Sequence, residues 1–185
     1  MRNTEINIIS YRAAGDMEVE IERRFLVGKK PPFLTRLNSH DIEQWYPPDK
    51  AGLNLPPEAE DMMSNGLRIR RKNTSWIATI KGPWEGISRV EFEWDIQAME
   101  CSPEWPCISK TRYLWPDPSG LIWEIDVFHG RLNGLVIAEV ELPTEYHPID
   151  IPSWTIGEVT GERGWSNAEL ANSDFSEVCK SIVYA

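Results

Sequence analysis

Charged and apolar residues alternate one by one along stretch after stretch of this chain, and within most stretches the charges carry a single sign. In 18–27, Glu18, Glu20, Glu22 and Arg24 share one face while Val19, Ile21 and Phe25 share the other, with Arg23 as an exception. The same period of two runs through 67–70, 76–81, 89–96, 109–114, 123–127 and 136–142. A period of two is the mark of a β-strand with two unlike faces. One charged strand face alone reads as solvated sheet. Here, however, Arg68 with Arg70 and Lys110 with Arg112 present bases only. Glu91 with Glu93, Glu124 with Asp126 and Glu139 with Glu141 present acids only. Like charges two residues apart repel unless opposite charges or a ligand face them. Closing the sheet into a barrel provides those partners, because alternate residues then point inward.

The inward candidates are the acids Glu20, Glu22, Glu91, Glu93, Glu124, Asp126, Glu139 and Glu141, and the bases Arg24, Arg68, Arg70, Lys81, Lys110 and Arg112. Such a lumen cannot be a dry core, since an unpaired buried charge costs several kcal/mol. Arginine forks suit the oxygens of an extended phosphate anion. Clustered carboxylates suit a hard cation, Mg²⁺ or Mn²⁺. Together they describe a metal–polyphosphate site.

Composition narrows the field further. The 185 residues suit one domain, and a net charge of −10 argues against a general nucleic-acid binder. The three cysteines, Cys101, Cys107 and Cys179, match no zinc spacing and read as reduced thiols. No stretch approaches the ~20 apolar residues of a membrane span, and residues 1–16 lack the apolar core of a secretory signal. The expectation is a soluble, cytoplasmic protein with no nucleic-acid or membrane partner. Monomer and homodimer both stay open.

Between the strands, 31–40 predicts a short helix, 42–46 a strand, and 97–101 one or two helical turns. The segment 47–65, rich in Pro, Asp, Glu and Gly, predicts a long excursion outside the core. Residues 1–16 read as a loosely attached extension, with 17–185 forming the domain. A C-terminal helix is expected over 167–183, broken near Ser173. His129, before Gly130, reads as a turn or packing residue. Arg89 and Asp95 share the charged face but fall near its rim. Trp165 and Asn167 support the C-terminal segment.

These residues resemble the CYTH superfamily, the triphosphate tunnel metalloenzymes. The hallmark Glu-x-Glu-x-Lys on the first strand reads here Glu20-Ile21-Glu22-Arg23-Arg24, with Arg24 in place of the lysine. Further matching segments are 67–70, 79–82, 89–93, 110–113, 123–130, 138–142 and 157–160. The likeness runs from about Glu18 to Phe175, and 47–65 and residues 1–16 depart from it. The resemblance implies an α+β fold, mainly antiparallel β: an eight-stranded closed β-barrel tunnel with flanking helices. It implies phosphate binding by Arg24, Arg68, Arg70, Lys81, Lys110 and Arg112. Metal would sit on Glu20, Glu22, Glu124, Asp126, Glu139 and Glu141, and catalysis would involve Glu20, Glu22, Arg24, Glu91 and Glu93. The implied activity is Mg²⁺- or Mn²⁺-dependent hydrolysis of a small-molecule triphosphate, foremost inorganic tripolyphosphate. Adenylate cyclase, thiamine triphosphatase and a non-catalytic nucleotide or polyphosphate binder remain alternatives.

Overall fold

The computed structural model describes residues 15–63 and 66–178. Eight strands close on themselves: β1 (Asp16–Val27), β2 (Ser39–Trp45), β3 (Leu67–Lys72), β4 (Ser75–Lys81), β5 (Ser88–Asp95), β6 (Cys107–Pro116), β7 (Ile122–Phe128) and β8 (Val136–Glu141). They pair antiparallel in the order β5-β4-β3-β2-β6-β7-β8-β1, and β1 returns to β5 to complete the barrel. The first half of β1 pairs with β5 from Asp16 to Ile21. Its second half pairs with β8 from Glu22 to Leu26. A ninth strand, β9 (Thr155–Glu158), takes up the edge of β1 that β5 leaves. The β3–β4 hairpin turns at Asn73, whose φ of 53° lies in the left-handed region that asparagine tolerates.

The outward apolar face is covered in two places. Phe25, Trp123, Ile125, Ala138 and Val140 pack with Leu34 of the 3₁₀ turn Pro32–Arg36 and with Trp154. Leu67, Ile69, Ala78, Ile80, Phe92 and Trp94 pack under 47–63, whose helix α1 (Pro57–Met62) contributes the fully buried Ala59. The excursion is therefore a lid on the outer wall. Burying a large apolar side chain contributes about 1.5–3 kcal/mol, so this coverage lets the barrel hold a charged interior.

The inward face changes character along its length. Leu26 follows Arg24, Ile108 precedes Lys110, Phe128 follows Asp126 and Ile137 precedes Glu139, each two residues along the same face. These four cluster with Leu132, Leu135, Trp165, Leu170, Ala171 and Val178. One end of the barrel interior is thus apolar and is sealed by the C-terminal segment.

Several expectations are corrected. Residues 97–101 form no helix: they lack a cap, meet Pro103, and lie as irregular chain with Met99 and Cys101 against the outer cluster. The 31–40 helix shrinks to the 3₁₀ turn, because β2 begins at Ser39. Helix α2 (Asn167–Leu170) is a single turn with a full capping box, Ser166 with Glu169, and helical structure resumes at Phe175 after the break at Ser173. The expected helix beyond Val178, the extension over 1–14 and the two residues 64 and 65 of the excursion lie outside the described residues. Among the described residues no helix is long and apolar enough to cross a membrane.

Candidate active site

The charged faces enclose a cavity of about 620 Å³. Cross-strand register sets its wiring. Glu20 stands opposite Arg89, Glu22 opposite Glu141, Arg24 opposite Glu139, Glu124 opposite Glu139 and Arg112 opposite Asp126. Arg68 Nη2 lies 3.0 Å from Glu91 Oε1 and 2.8 Å from Glu93 Oε1. It also donates to Thr79 Oγ1, whose hydroxyl donates to Glu93. Lys81 Nζ reaches Glu20 at 2.7 Å and also pairs with Glu91. Arg112 forks onto Asp126 through Nε and Nη2 (2.7 and 2.6 Å), reaches Glu139 at 2.8 Å and pairs with Glu124.

Lys110 and Asp126 form an ion pair that is almost fully buried. They lie deeper than the cavity lining, toward the apolar end, with Lys110 also donating to Asn167 Oδ1 at 3.5 Å. Burial pulls the Lys110 ammonium down to about 8. The remaining expected site residues, Glu20, Glu22, Arg24, Arg68, Arg70, Lys81, Glu91, Glu93, Arg112, Glu124, Glu139 and Glu141, line the cavity together.

Arg70 differs from its neighbours. It lines the cavity, yet among the described residues no carboxylate lies within ion-pair distance of it, and its Nε is buried without a hydrogen bond. Burial, then the Arg68 and Arg112 charges, depress its pKa to about 10. A carboxylate paired to Arg68 behaves in the opposite sense. Burial alone would raise Glu93, but Arg68 pulls it down to about 2.

The acids around Glu22 crowd one another despite their paired bases. Burial, then Glu139, raises Glu22 to about 7. Glu141 is raised by burial and by Glu124 and Glu20, and among the described residues it has no ion-pair partner. Glu139 is held below the ordinary carboxylate range: burial opposes this, but Arg24 and Arg112 prevail. Its Oε1 sits 2.8 Å from Arg24 Nη2 but is not aligned for a hydrogen bond, leaving a buried oxygen without one. Among the described residues no three carboxylates form a ready-made metal cage, because basic side chains hold most of them. Crowded, proton-attracting carboxylate oxygens and an unsatisfied buried acceptor are nevertheless the donor chemistry a hard divalent cation takes.

Some cavity residues escaped the sequence reading. Tyr46 lines the wall beside the arginines, and burial pushes its phenol up to about 12, so it stays a neutral donor. Arg89, expected only at the rim, bridges Glu20 at 2.9 Å and Glu22 at 3.4 Å, and its guanidinium lies 4.0 Å from the Trp84 ring centroid. Ser166, Asn167 and Ala168 reach the cavity from the C-terminal segment. Asp95 is exposed and outside the lining, while His129 accepts or donates a surface hydrogen bond with Thr111 at 2.8 Å.

Proteins of known name resemble this chain. A protein of Nitrosomonas europaea named inorganic triphosphatase is 33% identical over 161 residues, spanning 83% of this chain and 97% of the relative. The chain belongs to the inorganic triphosphatase family of the CYTH superfamily. A second inorganic triphosphatase, from Acetivibrio thermocellus, is 38% identical over 115 residues, covering 59% of this chain and 73% of that protein. Among solved structures, the crystal structure of an inorganic triphosphatase superposes with a TM-score of 0.54 at 31% identity, covering 83% of this chain and 95% of the other. No family model matches the chain. The family's closed eight-stranded antiparallel barrel is the one described above.

Proposed function

We propose that this triphosphatase-family chain hydrolyses inorganic tripolyphosphate with Mg²⁺ or Mn²⁺ inside the charged cavity. The observation that carries the reading is Arg70: a half-buried cation, its Nε buried without a hydrogen bond and no carboxylate in ion-pair reach among the described residues, in a wall where the neighbouring cations are paired. A partly buried charge without a carboxylate is tolerated where a ligand completes it. Arg68, Arg112 and Lys81 flank it and offer further donors to phosphate oxygens.

Glu22, Glu139 and Glu141, with Glu20 and Glu124 beside them, would hold the metal. When bound, Mg²⁺ or Mn²⁺ supplies charge neutralisation on the phosphate oxygens. A carboxylate of this group not engaged by the metal would orient an attacking water and accept its proton. The arginines stabilise the leaving phosphate from fixed positions, so little reorganisation accompanies the reaction. Glu91 and Glu93 act through Arg68 by holding its fork.

Phosphate release from tripolyphosphate, ATP and thiamine triphosphate, with and without each metal, tests the proposal. Tripolyphosphate with metal should turn over fastest. Glu22→Gln and Glu141→Gln should lose metal-dependent turnover while circular dichroism stays unchanged. Binding of tripolyphosphate without release of phosphate would instead support a sequestering protein.

A further inference from the structure

Arg24 stands where the family motif has lysine, and its guanidinium serves two masters. Nη2 lies 3.0 Å from Glu22 Oε1 and 2.8 Å from Glu139 Oε1. Nη1 donates to the backbone carbonyl of Trp165 at 2.5 Å. Trp165 is buried in the apolar end of the barrel, and the next three residues, Ser166, Asn167 and Ala168, line the cavity. A lysine ends in one nitrogen on a flexible stem, so an ammonium placed between Glu22 and Glu139 leaves the Trp165 carbonyl without that donor. A planar fork spans both.

We propose that Arg24 is a positioning residue that latches the C-terminal segment 165–171, which seals one end of the cavity, to the carboxylate pair Glu22 and Glu139. This rests on the reading of those carboxylates as the metal-facing group. The segment is also held by apolar packing, by the long Lys110–Asn167 contact and by Arg131, which donates to Ala171 O at 2.6 Å and Ser173 O at 2.8 Å, but Arg24 is what ties it to the acid pair. Its backbone acceptor makes it insensitive to which side chains occupy 165–168. Arg24 thereby reports the state of the acid pair to the closed end: a change in what Glu22 and Glu139 bind alters the fork that holds Trp165.

Hydrogen exchange with mass-spectrometric readout on the full chain tests this without turnover. The amides of Leu170 and Ala171, bonded to Ser166 O and Asn167 O, report on the latch. In Arg24→Lys they should exchange about tenfold faster, as expected for losing one buried charge-assisted hydrogen bond, while β6 and β7 stay protected. Mn²⁺ titration followed by electron paramagnetic resonance separates charge from latch. Arg24→Gln should bind Mn²⁺ more tightly than the parent, and Arg24→Lys, which keeps the charge, should not. Unchanged exchange of Leu170 and Ala171 in Arg24→Lys overturns the latch, whatever the enzyme assay shows. Failure of Mn²⁺ to bind the parent chain, with faster exchange in Arg24→Lys, would instead sink the metal reading and leave the latch standing.

Discussion

Replacing Arg70 by methionine should make the ligand-free protein more stable and remove its response to tripolyphosphate. The depression of Arg70 well below its ordinary value to about 10 means that the folded state holds this proton at a penalty. Each tenfold change in proton affinity is worth about 1.4 kcal/mol, which sets an upper figure of about 3 kcal/mol. The side chain is only half-buried, so water screens part of it, and about 1–2 kcal/mol is the expected gain. The sign follows from linkage. A base with a lowered folded pKa destabilises the fold fully below about pH 10, and the penalty fades as pH rises above that. Methionine fills similar volume without charge. For a chain of this length a gain of 1–2 kcal/mol corresponds to a rise in Tm of about 2–8 °C. The assay is thermal and urea unfolding at pH 7, with and without tripolyphosphate. The parent chain should rise in Tm with the anion, and Arg70→Met should start higher and respond weakly. A variant that is less stable than the parent, or that keeps the full response to the anion, would refute the idea that Arg70 is an anion anchor held at a cost.

Two further outcomes test the electrostatics. Glu22 is raised to about 7, so between pH 4.5 and 7 the folded state binds more protons than the unfolded one, and stability falls as pH rises through that window. Urea midpoints of metal-free protein at pH 5 and pH 7.5 should therefore differ, and Glu22→Gln should flatten the difference; equal slopes in both proteins would contradict the assignment. Asp126 accepts from both Arg112 and Lys110 while fully buried. Asp126→Asn should thus lower the unfolding free energy by about 3–5 kcal/mol, and a change below ~1 kcal/mol in urea titration would show that the pair is not a structural strut.

The barrel strands were legible because their two faces differ in kind, so period two showed even in short runs such as Leu67 to Arg70. The inward residues followed from parity alone. Depth along the barrel did not: nothing in the spacing separates Lys110 and Asp126 from Arg112 and Glu124, yet the first pair lies below the cavity. Tyr46 was missed because an aromatic at the end of a polar face reads as packing. Strand β9 was missed because it is four residues long, flanked by turns, and exposes Ile156. The clue to it was Arg23, the charge on the wrong face of β1. Its guanidinium lies 5.2 Å from the Phe25 ring centroid and grips Glu158 of β9 at 2.8 and 2.6 Å. Residues 97–101 looked helical by composition but carry no period, and composition without period does not place a helix.

The strand that carries the signature acids is also the seam of the barrel. Glu22 and Glu141 become neighbours only when β1, made first, is zipped to β8, made near the end of the chain. The first half of β1 can pair once β5 is made, but its second half must wait for β8, the last barrel strand in chain order. The repelling acids meet in the last act of closure, and a cation bridging them would act as a clasp on that seam, slowing its reopening. Metal loading at that seam and the lifetime of the folded barrel would then be two readings of one event.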